Sequence, residues 1–105
     1  MNERKENILV VDNDRSILQV IRMRLASGGY SVSAATGAEE ALKLAEKKPF
    51  DLALIDLKLN GHDGIQLMEH IHHINPHIPV IILTAHGTIK SAVHAMKKGA
   101  YSYVT

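Results

Sequence analysis

The hydrophobic residues of this chain follow two alternating patterns. Short, mostly uninterrupted apolar runs are typical of strands buried on both faces of a parallel sheet, and they predict strands over 8–11, 31–35 (the weakest), 52–55, 80–83 and 100–104. Between these runs the apolar residues recur every three or four positions, which predicts amphipathic helices. The four predicted helices start near Asp14, Thr36, Ile65 and Ile89, and they stop before Gly28, Pro49, Asn75 and Gly99.

Capping residues define several of these helix ends. Asp14 is a suitable N-cap for the first helix, and Thr36-Gly37-Ala38-Glu39 has the sequence of a capping box for the second. Gly28-Gly29 and Gly99 suit the position just after a helix. The resulting order is β-α-β-α-β-α-β-α-β, without an internal repeat or linker. Because parallel strands need crossover connections, and these are right-handed, the order predicts a doubly wound α/β sandwich of three layers.

Polar side chains that can bind a ligand directly follow three of the predicted strands. Asp12, Asn13 and Asp14 follow the first strand, Asp56 follows the third, and Thr84 follows the fourth. Ligands of open α/β sheets bind beyond the carboxyl ends of the strands, where the strand order reverses. Carboxylates that meet there repel each other unless they are protonated or bridged by a cation, and Mg²⁺ suits such oxygen ligands. Taken singly, Asp14 and Thr84 are also explained as helix caps.

Length and composition exclude several classes of protein. The 105 residues suit one domain, and 12 Lys plus Arg against 11 Asp plus Glu give a formal charge of +1, which does not suit an autonomous nucleic-acid-binding domain. The absence of cysteine excludes disulfides, thiolate zinc sites and a cysteine nucleophile. The charged segment 1–7 is unlike a signal peptide, and no apolar stretch approaches the roughly 20 residues of a membrane span. We therefore expect a single cytoplasmic domain without membrane contact.

Four segments together resemble the receiver domain of two-component response regulators. They are Ile8-Leu9-Val10-Val11-Asp12, Leu54-Ile55-Asp56-Leu57, Asp63-Gly64 and Val80-Ile81-Ile82-Leu83-Thr84-Ala85. The resemblance covers essentially the whole chain and implies a flavodoxin-like (CheY-like) fold, with five parallel strands in the order 2-1-3-4-5. Residues 84–101 are similar to receivers of NtrC-type activators, which work with the alternative sigma factor. This similarity implies that the domain controls transcription through output domains on the same polypeptide, without touching nucleic acid itself.

The resemblance also implies a mechanism. Asp56 would take a phosphoryl group from a phosphohistidine of a sensor histidine kinase, and the domain would catalyse its own phosphorylation and dephosphorylation. Thr84 would hydrogen-bond the phosphoryl group, and Tyr103 would switch between an exposed and a buried position as Thr84 moves. A Mg²⁺ ion would be held by the side chains or backbone of Asp12, Asn13, Asp56 and Lys58.

Three positions depart from the pattern of this family. Asn13 stands where a second acid is usual, so we expect weaker Mg²⁺ binding unless Asp14 turns in. Asn60 stands where proline is frequent, which loosens its loop. The lysine that follows the fifth strand in the family would come directly after Thr105, and a fifth helix is not encoded. We therefore expect residues 1–105 to form a receiver domain that is short at its C-terminal end.

An incomplete cover of the sheet has a consequence for association. A doubly wound sheet needs helices on both faces, and only four helices are predicted. We expect an apolar patch near Tyr101, Tyr103 and Val104 and, as a result, either a homodimer or a lower stability than that of a longer chain.

The seven histidines are interpreted in two ways. His70, His72, His73 and His77 lie on and after the third helix, and a solvated helix face explains them better than a zinc site, because no ligand motif frames them. His86 lies two residues after Thr84 at the rim of the predicted site. We hypothesise that His86 tunes the lifetime of the phosphorylated state.

Two other functions remain open at this point. A degenerate receiver-like module would act by protein contact without phosphorylation. Asn13 and the missing lysine favour that interpretation, while Asp56 and Thr84 oppose it. A flavodoxin-like cofactor binder would share the topology. The carboxylates at the strand ends, and the lack of a phosphate-binding loop after the first strand, argue against a cofactor binder.

Overall fold

The computed structural model describes residues 5–105, so the first four residues, on which the expectation about a signal peptide partly rests, lie outside it. The elements in chain order are β1 (Asn7–Val11), α1 (Arg15–Ser27), β2 (Ser31–Ala35), α2 (Ala38–Lys47), β3 (Leu52–Asp56), β4 (Lys58–Leu59), β5 (His62–Asp63), α3 (Gly64–Ile74), β6 (Val80–Leu83), α4 (Ile89–Lys97) and β7 (Ser102–Val104). Among these residues, no helix combines the length and the apolar character needed to cross a membrane.

Five of the strands form one parallel sheet in the order β2-β1-β3-β6-β7, which confirms the predicted topology. The chain runs from β1 outward to β2, and then crosses back to β3 on the other side of β1. This reversal places the carboxyl ends of β1 and β3 next to each other at the switch point of the sheet, where ligands of such folds bind.

The two faces of the sheet pack against different helices. On one face, β1, β3 and β6 contribute Leu9, Ile55 and Ile82 to a core with α2, α3 and α4, in which Met68 and Ile71 are fully buried. Each such side chain contributes roughly 1.5–3 kcal/mol through burial. On the other face, α1 is the helix among the described residues that covers a smaller cluster built on Ile8, Val10 and Leu18.

The predicted apolar patch at the last strand is divided between the two faces. Because successive side chains of a strand point to opposite faces, Tyr103, which pairs with Ile82, packs against the core below α4. Val104 lies on the α1 side with 46% of its surface exposed, while Tyr101 precedes the strand and is 72% exposed. These three residues therefore do not form the single apolar patch that the sequence predicts.

Two details of the helices also differ from the predictions. Helix α2 has Gly37 as its N-cap without a side-chain cap, so the predicted capping box is wrong; Glu40 instead accepts the Thr36 backbone N–H at 2.8 Å. In α4 the apolar spacing predicted the helix, but the side chains of Ile89, Val93 and Met96 face outward (Ile89 is 86% exposed), and the buried residue is Ala95. Periodicity shows that a helix forms but not which of its faces a neighbour covers.

The segment between β3 and α3, for which the sequence predicts neither a strand nor a helix, contains a small hairpin. Lys58 pairs with Asp63 and Leu59 with His62. Gly61 turns the hairpin with a φ of 69°, in the left-handed region that favours glycine. Gly64 then brings the start of α3 so close to the end of β3 that a Cβ atom there would collide with the Asp56 carbonyl oxygen. This close approach holds the hairpin beside the carboxyl edge of the sheet.

Candidate functional site

Three of the predicted site residues meet at the carboxyl edge of the sheet. Val11 and Ile55 are paired across β1 and β3, neighbouring strands whose backbones are about 4.8 Å apart. Asp12 follows Val11 directly after the end of β1, and Asp56 is the last residue of β3, so the two acids lie side by side. Asp56 is itself paired with Leu83 of β6, and Thr84 follows Leu83 directly. Two carboxylates and a hydroxyl from three neighbouring strands are therefore brought together.

These side chains line a cleft with a volume of about 410 Å³. The predicted site residues found in its wall are Asp12, Asn13, Asp56, Lys58, Thr84 and His86. Asp12 and Thr84 are buried, Asp56 is half-buried, and the other three are exposed at the rim. The cleft is thus open to solvent above a floor of acidic and hydroxyl groups.

Burial and a neighbouring acidic charge disfavour the ionised form of both carboxylates of the cleft. Burial raises the pKa of Asp12, with a smaller contribution from the charge of Asp14, while the Asp14 N–H donates to Asp12 Oδ1 at 2.8 Å and lowers it. Burial raises the pKa of Asp56 as well, and the Asp12 charge adds to this effect; N–H donation from Lys58 and Leu57 opposes it. Such a pair is stabilised by a bound cation.

The donors at this edge suit a hard cation that retains part of its water. Mg²⁺ typically binds through one or two carboxylates together with neutral oxygens and water molecules. Asp12 and Asp56 provide the carboxylates, and Asn13 provides an amide in the same cleft. Asp14 does not turn in, because its Oδ1 accepts the N–H groups of Ser16 and Ile17 as the N-cap of α1. In residues 5–105 no three His, Asp or Glu side chains form a metal-binding group, so neutral oxygens are needed.

Thr84 belongs to the cleft and not to a helix cap. Its backbone N–H donates to Val104 O at 3.1 Å, and its Oγ1 accepts the His86 backbone N–H at 3.2 Å. The N-cap of α4 is Thr88, in a capping box with Ser91. The hydroxyl proton of Thr84 is therefore available for a ligand in the cleft.

Comparison with known proteins agrees with this geometry. Residues 8–105 match the family described as the response regulator receiver domain. The chain belongs to this family. It is 40% identical over its whole length to the transcriptional regulatory protein GlrR of Escherichia coli K12, and it spans about a quarter of the length of such relatives (24% of GlrR). This similarity confirms the predicted resemblance to the NtrC-type subfamily.

Solved structures of other receivers have the same fold. A CheY-like receiver domain protein from Methanospirillum hungatei superimposes with a TM-score of 0.91 at 34% identity, over 96% of this chain and 81% of that one. A response regulator from Burkholderia pseudomallei, solved with a phosphorylated aspartic acid, a calcium ion and citrate, has a TM-score of 0.91 at 32% identity, over 95% of this chain and 59% of that one. The receiver fold of this chain is thereby confirmed.

Tyr103 of this receiver lies apart from the cleft, behind the loop that follows Thr84. Its hydroxyl is 2.5 Å from Ser91 Oγ, and its ring packs on Gly87, where a Cβ atom would lie 2.9 Å from Tyr103 Cε1. Ser91 was not among the predicted residues. The Thr-x-x-Ser spacing signals the capping box, but nothing in the sequence signals the contact with Tyr103.

Two of the three departures from the receiver pattern, Asn13 and Asn60, are in contact with each other. Asn13 Nδ2 donates to Asn60 Oδ1 at 3.0 Å, which joins the loop after β1 to the turn of the β4–β5 hairpin. Each residue stands out in the sequence by itself. Their contact does not, because the two residues are 47 positions apart.

The histidines of α3 do not all belong to a solvated face. His72 is half-buried, and its Nε2 lies 2.9 Å from the Ile78 carbonyl oxygen, so it joins the end of α3 to the segment before β6. His70, His73 and His77 are exposed. The prediction of a purely solvated cluster was therefore wrong for His72, which has a structural role.

Proposed function

We propose that this receiver domain is a phosphorylation switch in which Asp56 accepts a phosphoryl group from the phosphohistidine of a sensor histidine kinase. The observation that carries the proposal is the position of Asp56 in the cleft, between Asp12 after β1 and Thr84 after β6. A nucleophilic carboxylate needs a counter-charge and a hydrogen-bond donor for the incoming phosphoryl oxygens. Asp12 would help to hold the cation that supplies the counter-charge, and the Thr84 hydroxyl would be the hydrogen-bond donor.

The transfer forms one bond and breaks another. A carboxylate oxygen of Asp56 attacks phosphorus, the P–N bond to the kinase imidazole breaks, and the electron pair of that bond stays on the imidazole nitrogen. The product is an acyl phosphate on Asp56. When the signal ends, water attacks the phosphorus and releases inorganic phosphate, which restores the Asp56 carboxylate.

The carboxylate must be ionised to act, and the cleft alone disfavours this because burial and the Asp12 charge raise the pKa of Asp56. Mg²⁺, which receiver domains typically bind, would neutralise the charge of the carboxylates and of the phosphoryl oxygens. The groups that would hold it are Asp12, Asn13, Asp56 and the backbone carbonyl of Lys58.

The signal would pass from Thr84 to Tyr103. The Thr84 hydroxyl donates a hydrogen bond to a phosphoryl oxygen, and this moves the loop 84–88. The loop carries Gly87, against which Tyr103 packs. The change biases an existing equilibrium between two positions of Tyr103 and does not build a new fold. His86, exposed at the rim of the same cleft, controls access of water to the acyl phosphate.

The relationship to transcription regulators indicates what the switch controls. We infer that phosphorylation regulates output domains on the same polypeptide, in a homodimer, and that the receiver itself does not contact nucleic acid. Asn13, an amide in place of an acid, favours a second candidate, in which the domain acts by protein contact without phosphorylation.

One measurement distinguishes the two candidates. Wild-type protein is incubated with acetyl phosphate and Mg²⁺, and its intact mass is recorded. A switch gains the mass of one phosphoryl group, and Asp56→Ala abolishes the gain. Asp51→Ala is the matched control, because Asp51 is an exposed acid at the opposite end of β3, and it retains the gain. An unchanged mass in the wild type contradicts phosphorylation and supports the contact module.

A further inference from the structure

We propose that Asn60 is a positioning residue that orients the side-chain amide of Asn13 toward the cation, so that the two asparagines together replace one carboxylate ligand. The proposal rests on the proposed function, because it concerns the cation of the same cleft. It goes further in giving Asn60, which lies outside that cleft, a part in the chemistry.

The hydrogen bond between the two side chains determines which atom of the Asn13 amide faces the cleft. Asn13 is in the cleft wall, whereas Asn60 is not. The Asn13 Nδ2 atom is directed at Asn60 Oδ1, 3.0 Å away. Because the oxygen and nitrogen of an amide lie on opposite branches of one carbon atom, the atom of Asn13 left for the cleft is Oδ1.

A fixed orientation matters for an amide in a way that it does not for a carboxylate. Both oxygens of a carboxylate accept, so either one binds a cation. An asparagine that flips presents its NH₂ group, which only donates, as readily as its oxygen. Hard cations take oxygen ligands, so a flipped Asn13 no longer serves as a ligand. The acceptor Asn60 Oδ1 stabilises the productive orientation.

The two loops that carry these asparagines are themselves held in place. Asp12 Oδ1 accepts the Asp14 N–H at 2.8 Å, which fixes the turn on either side of Asn13. On the other side, the paired residues of the β4–β5 hairpin and the left-handed Gly61 fix the turn that carries Asn60. The contact is therefore part of the folded arrangement of the edge, although both side chains are exposed.

The test is a double-mutant cycle on Mg²⁺ affinity. Binding is followed by the chemical shifts of backbone amides near Asp56 and of the Asn13 side-chain NH₂ group, since the chain has no tryptophan. Asn60→Ala in the wild type is expected to weaken Mg²⁺ binding about two- to tenfold, the range of one hydrogen bond. In an Asn13→Asp background the same substitution is expected to have no effect, because no amide remains to be oriented.

Two further variants distinguish the orientation of the Asn13 amide from a general effect of the hairpin on Mg²⁺ affinity. His62→Ala changes an exposed residue of the same hairpin that does not bond to Asn13, and it is expected to leave the affinity unchanged. Asn60→Asp keeps the acceptor and is expected to bind Mg²⁺ at least as tightly as the wild type.

Several results would overturn the proposal. These are an unchanged affinity in Asn60→Ala, an equal loss in both Asn13 backgrounds, an affinity of Asn60→Asp below that of the wild type, or no Mg²⁺ binding at all. A failure of the proposed function is distinguishable: if the predicted cycle is observed but Asp56 is not phosphorylated, the positioning role stands and the switch does not.

Discussion

Removal of the Ser91 hydroxyl is expected to release Tyr103 from its inward position. Ser91 Oγ is 2.5 Å from the Tyr103 hydroxyl, and it also accepts the Thr88 backbone N–H at 3.1 Å in the capping box of α4. Ser91→Ala therefore removes both of these hydrogen bonds, whereas Tyr103→Phe removes only the one between the two hydroxyls. Comparison of the two variants separates the effect of the Ser91–Tyr103 hydrogen bond from that of the hydrogen bond that caps α4.

The size of the effect follows from the hydrogen bonds that each variant removes. A typical hydrogen bond contributes about 0.5–1.5 kcal/mol to stability, so Tyr103→Phe is expected to lower the free energy of unfolding by about 1 kcal/mol. Ser91→Ala is expected to cost about 1–2 kcal/mol, because it removes the capping hydrogen bond as well. A change of about 1 kcal/mol shifts the equilibrium between the inward and outward positions of Tyr103 about fivefold.

Two assays measure these quantities. Urea unfolding followed by circular dichroism gives the stability of both single variants and of the double variant. Incorporated 3-fluorotyrosine reports the surroundings of the three tyrosines by ¹⁹F resonance, and Tyr103→Phe identifies the Tyr103 signal. The expected result is a Tyr103 signal in Ser91→Ala that moves toward that of the exposed Tyr101. If the Tyr103 resonance does not move in Ser91→Ala, and the stability changes of the two single variants add up in the double variant, then Ser91 does not stabilise the inward position of Tyr103.

Three further predictions concern the edge of the sheet. Gly64→Ala is expected to lower the free energy of unfolding in urea by about 1–3 kcal/mol, because a Cβ atom there would collide with the Asp56 carbonyl oxygen. Gly37→Ala is the control, since a Cβ atom at Gly37 meets nothing within 4 Å, and an equal loss of stability in the two variants would contradict the prediction. Burial raises the folded-state pKa of Asp56 above its ordinary 3.8, so the folded state loses stability as the pH rises through the raised value. Asp56→Asn is therefore expected to be more stable than the wild type at pH 7, with the difference vanishing below about pH 3.8, and a difference independent of pH would argue against the effect. His86→Ala is expected to change the rate at which phosphorylated protein loses phosphate, and an equal rate in the variant would disprove a role for His86.

Much of the fold and the centre of the site could be predicted from the sequence for one physical reason. Strands buried on both faces have continuous apolar sequences, and the polar residue that follows each apolar run marks the carboxyl edge of the sheet. Asp12, Asp56 and Thr84 each follow such a run, and parallel strands bring their carboxyl ends to one edge. Their convergence thus depends on topology alone and not on the details of packing.

The features that could not be predicted depend on tertiary contacts. The β4–β5 hairpin has two-residue strands, too short for any periodicity to be read. The outward face of α4 and the structural role of His72 depend on which neighbours pack against these helices. The Asn13–Asn60 and Ser91–Tyr103 contacts join residues 47 and 12 positions apart, and local propensity carries no information on pairs of this kind.

The central claim is that Asp56 forms an acyl phosphate, and chemical trapping tests it most directly. Protein incubated with acetyl phosphate and Mg²⁺ is reduced with borohydride, which converts an aspartyl phosphate to homoserine, and the peptides are sequenced by tandem mass spectrometry. We expect homoserine at position 56 and at no other acid, and we expect it to disappear when the metal is chelated. Homoserine at another position, or unmodified Asp56 in the presence of Mg²⁺, would contradict the claim.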